Sequence, residues 1–280
     1  MASLKSTKRR IASVGTTKKI MRAMNLVAAS RLQRDKLKLQ SAQDYIASSL
    51  QLLALIGKTD FADKLVYFNE RQIENTAYFI ITSDRGLCGN YNNNLCNLVL
   101  QHLDTQENEL LVISGLRGYE FFRKRGKNIY QQFEDVMETA YYHDAKRVAT
   151  LLMELYSSRQ ADAVYIAYTR FSSILSHQPT IEKVLPLSAN GNSAVDKQDT
   201  IAYLASGDLP NEVINRYLIA LIYRALLEAS TCEQAARMLS MDAAVNNADD
   251  IIAKLSRNYN RRRQAAITQE ISEIIGSASI

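Results

Sequence analysis

Glycine is absent from residues 16 to 56 and again from 208 to 275, and the three prolines, Pro179, Pro186 and Pro210, are confined to the interval 179–210. Two long stretches at the chain ends therefore lack the residues that interrupt helices, apart from Pro210 at the very start of the second, and each predicts a long helix. At 1.5 Å per residue, a helix of about 40 residues is ~60 Å long and one of about 65 is ~100 Å, more than a compact domain of this size can enclose. Propensity alone stabilises such helices little, so each needs an apolar stripe packed on a partner.

That stripe is present. Met238, Met241, Val245, Ala248, Ile252, Leu255 and Tyr259 follow one another at alternating intervals of three and four, a heptad seam. Leu39, Ala42, Ile46, Leu50 and Leu53 give a looser version near the other end. Small residues (Ala28, Ala29, Ser30, Ala235, Ala236, Ala243, Ala244) permit close backbone approach. An antiparallel coiled coil of the two ends accounts for both seams; separate packing of each helix on a globular body is the alternative. "SGDLPN" at 206–211 marks a helix start, with Asp208 as a candidate cap and Pro210 in the first turn.

Between the helices, β-prone runs at 76–82, 109–114, 128–133, 163–169 and 180–187 alternate with helical patterns at 92–103, 116–125 and 143–159. Alternation of this kind predicts an α/β domain with a largely parallel sheet. The polar stretch 188–200 reads as an exposed loop. The expected fold class is α+β, with a long antiparallel coiled coil of N- and C-terminal helices and an inserted α/β, Rossmann-like domain. Its parts are 1–58, 76–190 and 209–280.

"TSDRGLCGNYNNNL", residues 82–95, follows the first strand, where α/β enzymes hold phosphate or place a thiol. No GxxxxGK[ST] or GxGxxG pattern is present, so phosphate and dinucleotide cradles are not expected. Cys88 has no histidine near it in sequence to act as a base. The turn reads as structural, its glycines permitting the bend and Asp84 and Asn90 bonding the backbone around it. Cys88, Cys96 and Cys232 form no CxxC, and His102, His143 and His177 are scattered, so no metal, cofactor or catalytic set is expected. The longest apolar runs fall far short of the roughly 20 residues that span a bilayer, and no secretory signal pattern is seen. A cytoplasmic protein is the expectation.

Net charge is +5, but residues 1–38 carry eleven Lys or Arg against Asp35 alone, +10, leaving −5 for the rest. A basic segment suits nucleic acid, anionic lipid or an acidic protein. Two readings are open on this basis: an elongated basic nucleic-acid-binding protein and an α/β enzyme with coiled-coil ends.

Three separated motifs carry a resemblance. "TSDRGLCGNYN" is similar to the SDRGLCGxxN pattern of the γ subunit of rotary, bacterial-type (F-type) ATP synthases; "RIASVGTTKKIMRAMNLVAASRL" (10–32) resembles that family's opening helix, and "EQAARMLSMDAAVNNADDIIAKLSRNYNRRRQAAITQEISEII" (233–275) its closing helix. The resemblance spans the chain. It implies a non-catalytic subunit, the central rotating shaft that couples ion-driven rotation of a membrane rotor to sequential conformational change at catalytic sites on other subunits. Implied partners are the alpha and beta subunits of the catalytic head, the epsilon subunit and the membrane rotor c ring, with one copy of the chain per complex, no nucleic acid and no cofactor. The implied location is the cytoplasmic face of the cell membrane, as a peripheral subunit. Arg263 and Gln264, with Thr268 and Glu270, are implied as contacts to a catalytic-subunit loop, and Met24 and Arg237 as lying where the helices meet. The rotor grip is implied near Tyr203–Asp208, where "YLASGDL" is shorter and less acidic than the family pattern. No regulatory insert with paired cysteines is present, so thiol control is not expected.

Overall fold

In the computed structural model, which describes residues 4–57, 65–103, 108–139, 142–187 and 209–278, both chain ends are helical. Helix α1 spans Leu4–Gly57 and the last helix, α6, spans Leu209–Ala278. Pro210 lies in the first turn of α6, where a missing N–H costs nothing. Asp208, the loop 188–200 and the rotor-grip segment 203–208 lie outside the described residues. The chain forms two units, one of residues 1–29 with 237–280 and one of 30–236.

In the first unit, α1 and α6 pair antiparallel. Lys18 ion-pairs with Asp249, while the Asn25 amide donates to the Met238 carbonyl at 2.8 Å, so numbers rise on one helix as they fall on the other. The seam expected on α6 is the face that packs: Met241 and Ala248 are buried and Met238, Val245, Ile252, Leu255 and Tyr259 half-buried. On α1 the covered positions include Leu4, Thr7, Ile11, Val14, Lys18, Met21, Asn25 and Ala28, with Gly15, Met24 and Ala29 half-buried beside them. Spacing along the row from Leu4 to Ala28 alternates strictly between three and four, as a heptad seam requires. Composition hides it, because Thr7, Lys18 and Asn25 are polar.

In the second unit the same alternation continues on α1 through Leu32, Asp35, Leu39, Ala42, Ile46, Ser49, Leu53 and Ile56. Buried Asp35 accepts a hydrogen bond from Ser230 of α6 at 2.8 Å. The α/β domain adds β1 (Thr76–Ile81), α2 (Tyr91–Leu103), β2 (Glu109–Ser114), α3 (Leu116–Arg123), β3 (Ile129–Phe133), α4 (Val136–Thr139), α5 (Tyr142–Ser157), β4 (Ala163–Phe171) and β5 (His177–Leu185). The sheet order is β3-β2-β1-β4-β5. The first four strands are parallel, and β5 runs antiparallel to β4. Every residue of β1 is buried, as a central parallel strand covered on both faces demands. Ala77, Phe79 and Ile81 face one core with residues of α1, α5 and α6; Tyr78 and Ile80 face the other with α2 and Phe122 of α3. The short α4 and the antiparallel direction of β5 are not anticipated by the apolar pattern.

Candidate functional site

In open parallel sheets ligands settle beyond the carboxyl ends of the strands, where the connections diverge to opposite faces. Here that place lies between the ends of β1 and β4, at the glycine turn of residues 82–95. It is filled by the chain itself. Tyr91 and Cys88 pack with Cys232 of α6, with Phe171 and Ala236 beside them. The Tyr91 hydroxyl donates to the Ala229 carbonyl at 3.1 Å. The Cys232 thiol faces the Thr169 carbonyl at 3.4 Å, and the Phe171 N–H donates to the Glu228 carboxylate at 3.2 Å. Polar links from β4 and from the start of α2 to α6 thus occupy the crevice.

The turn is built for this. Gly89 adopts φ +59° and Leu87 φ +67°, left-handed conformations that glycine reaches freely and leucine does not. Asn92 braces it: its side-chain oxygen accepts from the Ser83 N–H at 2.9 Å, and its amide donates to the Ser83 hydroxyl at 2.7 Å and the Cys88 sulfur at 3.3 Å. The expectation for Asp84 and Asn90 is corrected in part. Asp84 accepts from the Leu116 N–H at 3.0 Å and so ties the turn to α3, while Asn90 contributes its main-chain carbonyl, to Asn94. At Gly115, φ +96°, an added Cβ would stand 2.0 Å from the Thr82 carbonyl oxygen, so only glycine lets α3 start this close to β1.

The Asn92 amide and the Ser83 hydroxyl that stand at the Cys88 sulfur are not bases. Burial pushes the Cys232 thiol far up and the Cys96 thiol to about 12, so neither ionises near neutrality. Among the described residues no group of His, Cys, Asp and Glu is arranged to hold a metal ion. Also among them, no helix is long and apolar enough to cross a membrane.

The second candidate surface is the far part of α6, in the first unit. Carried on at 1.5 Å rise in both helices, the α1–α6 register brings Leu4 level with roughly Tyr259 to Arg263. Beyond that point no described residue of α1 stands alongside α6. Burial changes there: from Asn260 to Ile275 every residue is exposed except half-covered Ala266. Arg263, Gln264, Thr268 and Glu270 all lie on this exposed stretch, with the Thr268 hydroxyl returned to the Gln264 carbonyl at 3.0 Å. Met24 is half-buried on α1 and Arg237 is buried on α6. Four residues that sequence reasoning did not gather join Arg263 here: Ile267, Ile271, Ile274 and Ile275, which are 44 to 67% exposed. Their helical spacing, three and four apart, was the available signal. An apolar stripe this exposed beside a run of arginines suits a protein contact, with an apolar lining and carboxylates opposite.

The family model for ATP synthase matches residues 3–279. The ATP synthase gamma chain of Alkaliphilus metalliredigens is 36% identical over 281 residues, covering 98% of this chain and 97% of that one. A sodium ion specific ATP synthase gamma chain of Acetobacterium woodii is 33% identical over 99% of this chain and 98% of its own. Among solved structures, a chain of the Euglena gracilis mitochondrial ATP synthase, described as OSCP/F1/c-ring, matches with TM-score 0.73 at 16% identity, covering 99% of this chain and 93% of that chain. One of the Tetrahymena thermophila mitochondrial ATP synthase central stalk and c-ring matches with TM-score 0.64 at 21% identity, over 80% of this chain and 99% of that chain. These structures share the fold. None of these relatives supports the reading as a nucleic-acid binder.

Proposed function

The chain belongs to the ATP synthase gamma chain family, and we propose that it is the central rotating shaft of its enzyme, coupling ion-driven rotation of a membrane rotor ring to conformational change at catalytic sites carried by other subunits. It is one subunit of an ATP synthase; catalysis belongs to the head, and the shaft's own part is mechanical. The observation that carries this reading is the stretch of α6 beyond its α1 partner, whose arginines and isoleucines are exposed.

A ligand or partner shifts a conformational equilibrium only by the difference in its interaction free energy with the two states. A single chain in the middle of several identical sites presents each with a different face. Turning it redistributes those contacts, and each site is biased in sequence. Arg263 and Gln264 are the contacts proposed to matter most, since guanidinium bonds carboxylates in a fixed fork. Thr268 and Glu270 lie one to two turns further along, and Met24 and Arg237 support the pair where the two helices meet. The alpha, beta and epsilon subunits and the c ring are the proposed partners, one shaft per complex, on the cytoplasmic face of the membrane.

The test is the double substitution R263A/Q264A in the assembled enzyme. Each exposed polar contact is worth up to ~1 kcal/mol, so a fall in ATP turnover of about fivefold to thirtyfold is expected for the pair. Assembly should be unaffected, because both positions are exposed. Undiminished turnover in an intact complex would show that these two residues are not the contact.

A further inference from the structure

The carboxyl end of α3 carries three consecutive cations, Arg123, Lys124 and Arg125, all exposed. Their neighbours are paired: Arg117 with Glu120 at 3.1 Å and Lys127 with Glu109 at 3.1 Å. The three themselves have no carboxylate partner among the described residues. Two are held in place by rings instead. The Arg125 guanidinium lies 3.6 Å from the Phe121 ring centre, with its Nη1 donating to the Phe121 carbonyl at 3.0 Å. The Arg123 guanidinium lies 5.8 Å from the Tyr119 ring centre. Charge placed on an aromatic face is pre-ordered and loses less freedom on meeting an anion.

Cations at a helix carboxyl end also complement the helix dipole. The dipole does not account for the strand that comes next in the chain. The sequence runs directly into β3, which stands at the end of the sheet order and, among the described residues, pairs with β2 alone. Tyr130 is 44% exposed there and Gln131 is exposed beside it. An open strand edge offers unpaired N–H and C=O groups to an added strand.

We infer that the α3 end and the open edge of β3 together form a docking surface for an extended, acidic segment of another subunit of the assembly. Successive residues at a helical end fan out by roughly 100° each, so the three cations meet several carboxylates along a segment rather than one. The main chain of that segment pairs with β3, and its acidic residues reach Arg123, Lys124 and Arg125. This rests on the shaft reading only in taking the segment from the same complex, and a subunit fixed to the shaft satisfies it without hindering rotation.

The experiment uses the purified whole enzyme and a water-soluble carbodiimide, which joins a lysine amine to a carboxylate only where the two are in contact. Mass spectrometry should find Lys124 joined to an Asp or Glu of another subunit, and the triple variant R123E/K124E/R125E should lose that link while its chain still enters the complex. Acetylation of Lys124 should be slower in the complex than in the free chain. Equal acetylation in both, with no link formed, overturns the proposal and leaves a solvated helix end. Protection that appears only with vesicles containing phosphatidylglycerol, and not with neutral ones, overturns it too, in favour of lipid phosphate. Failure of the chain to enter any ATP synthase would instead remove the shaft reading itself.

Discussion

Asn92 shows how one half-buried side chain can decide the geometry of a whole turn. It accepts from the Ser83 N–H, donates to the Ser83 hydroxyl and touches the Cys88 sulfur, so removing it takes from the Ser83 N–H its acceptor. A buried group left without its partner costs about 1–3 kcal/mol. N92A is therefore expected to lower the unfolding free energy by about that amount, read as an earlier midpoint in urea with an unchanged slope. A midpoint equal to wild type would mean that the turn is held by its glycine and main-chain bonds alone. Sequence reasoning finds the right turn and the wrong asparagine, because Asn90 and Asn92 are equivalent as residue types and only the direction in which the turn closes separates them. The same limit explains the candidate contacts. Arg263 and Gln264 came from resemblance, whereas the exposure of Ile267, Ile271, Ile274 and Ile275 depends on where α1 stops accompanying α6, which no local pattern states.

At the scale of elements, the two glycine-free stretches were legible as helices because continuous helix-compatible sequence leaves the chain little else to form. The α6 seam was legible for the same reason that it packs: its side chains are apolar at alternating intervals of three and four. On α1 the seam was legible at Leu39, Ala42, Ile46 and Leu53, with Leu50 exposed instead, but not nearer the start of the helix, since Lys18, Asn25 and Asp35 occupy positions that face the partner. Their partners, Asp249, the Met238 carbonyl and Ser230, make those polar choices intelligible. Polar seam residues reward one alignment of two helices over slipped ones. The helix nevertheless retains Gly15 in its interior, where an added Cβ would meet no atom within 4 Å. G15A should raise stability by ~0.5–1 kcal/mol, measured as a later thermal midpoint of the isolated chain. A loss of stability would indicate that glycine at this position serves backbone approach or bending.

For the molecule as a whole, the crevice in which related α/β sheets bind ligands is closed by the chain's own helix. Tyr91, Glu228 and Cys232 join β4 and the start of α2 to α6, so an α/β domain that could have evolved a site serves to grip a helix. The central claim, that this chain is a turning shaft, is open to direct observation. Its natural cysteines, Cys88, Cys96 and Cys232, are all buried, and Leu175 is 81% exposed, so L175C offers one accessible thiol for a bead. With the catalytic head fixed to glass and ATP supplied, the bead should rotate in one direction, in steps, and stop when ATP is withdrawn. A bead that stays still while the same immobilised complexes hydrolyse ATP would contradict the account.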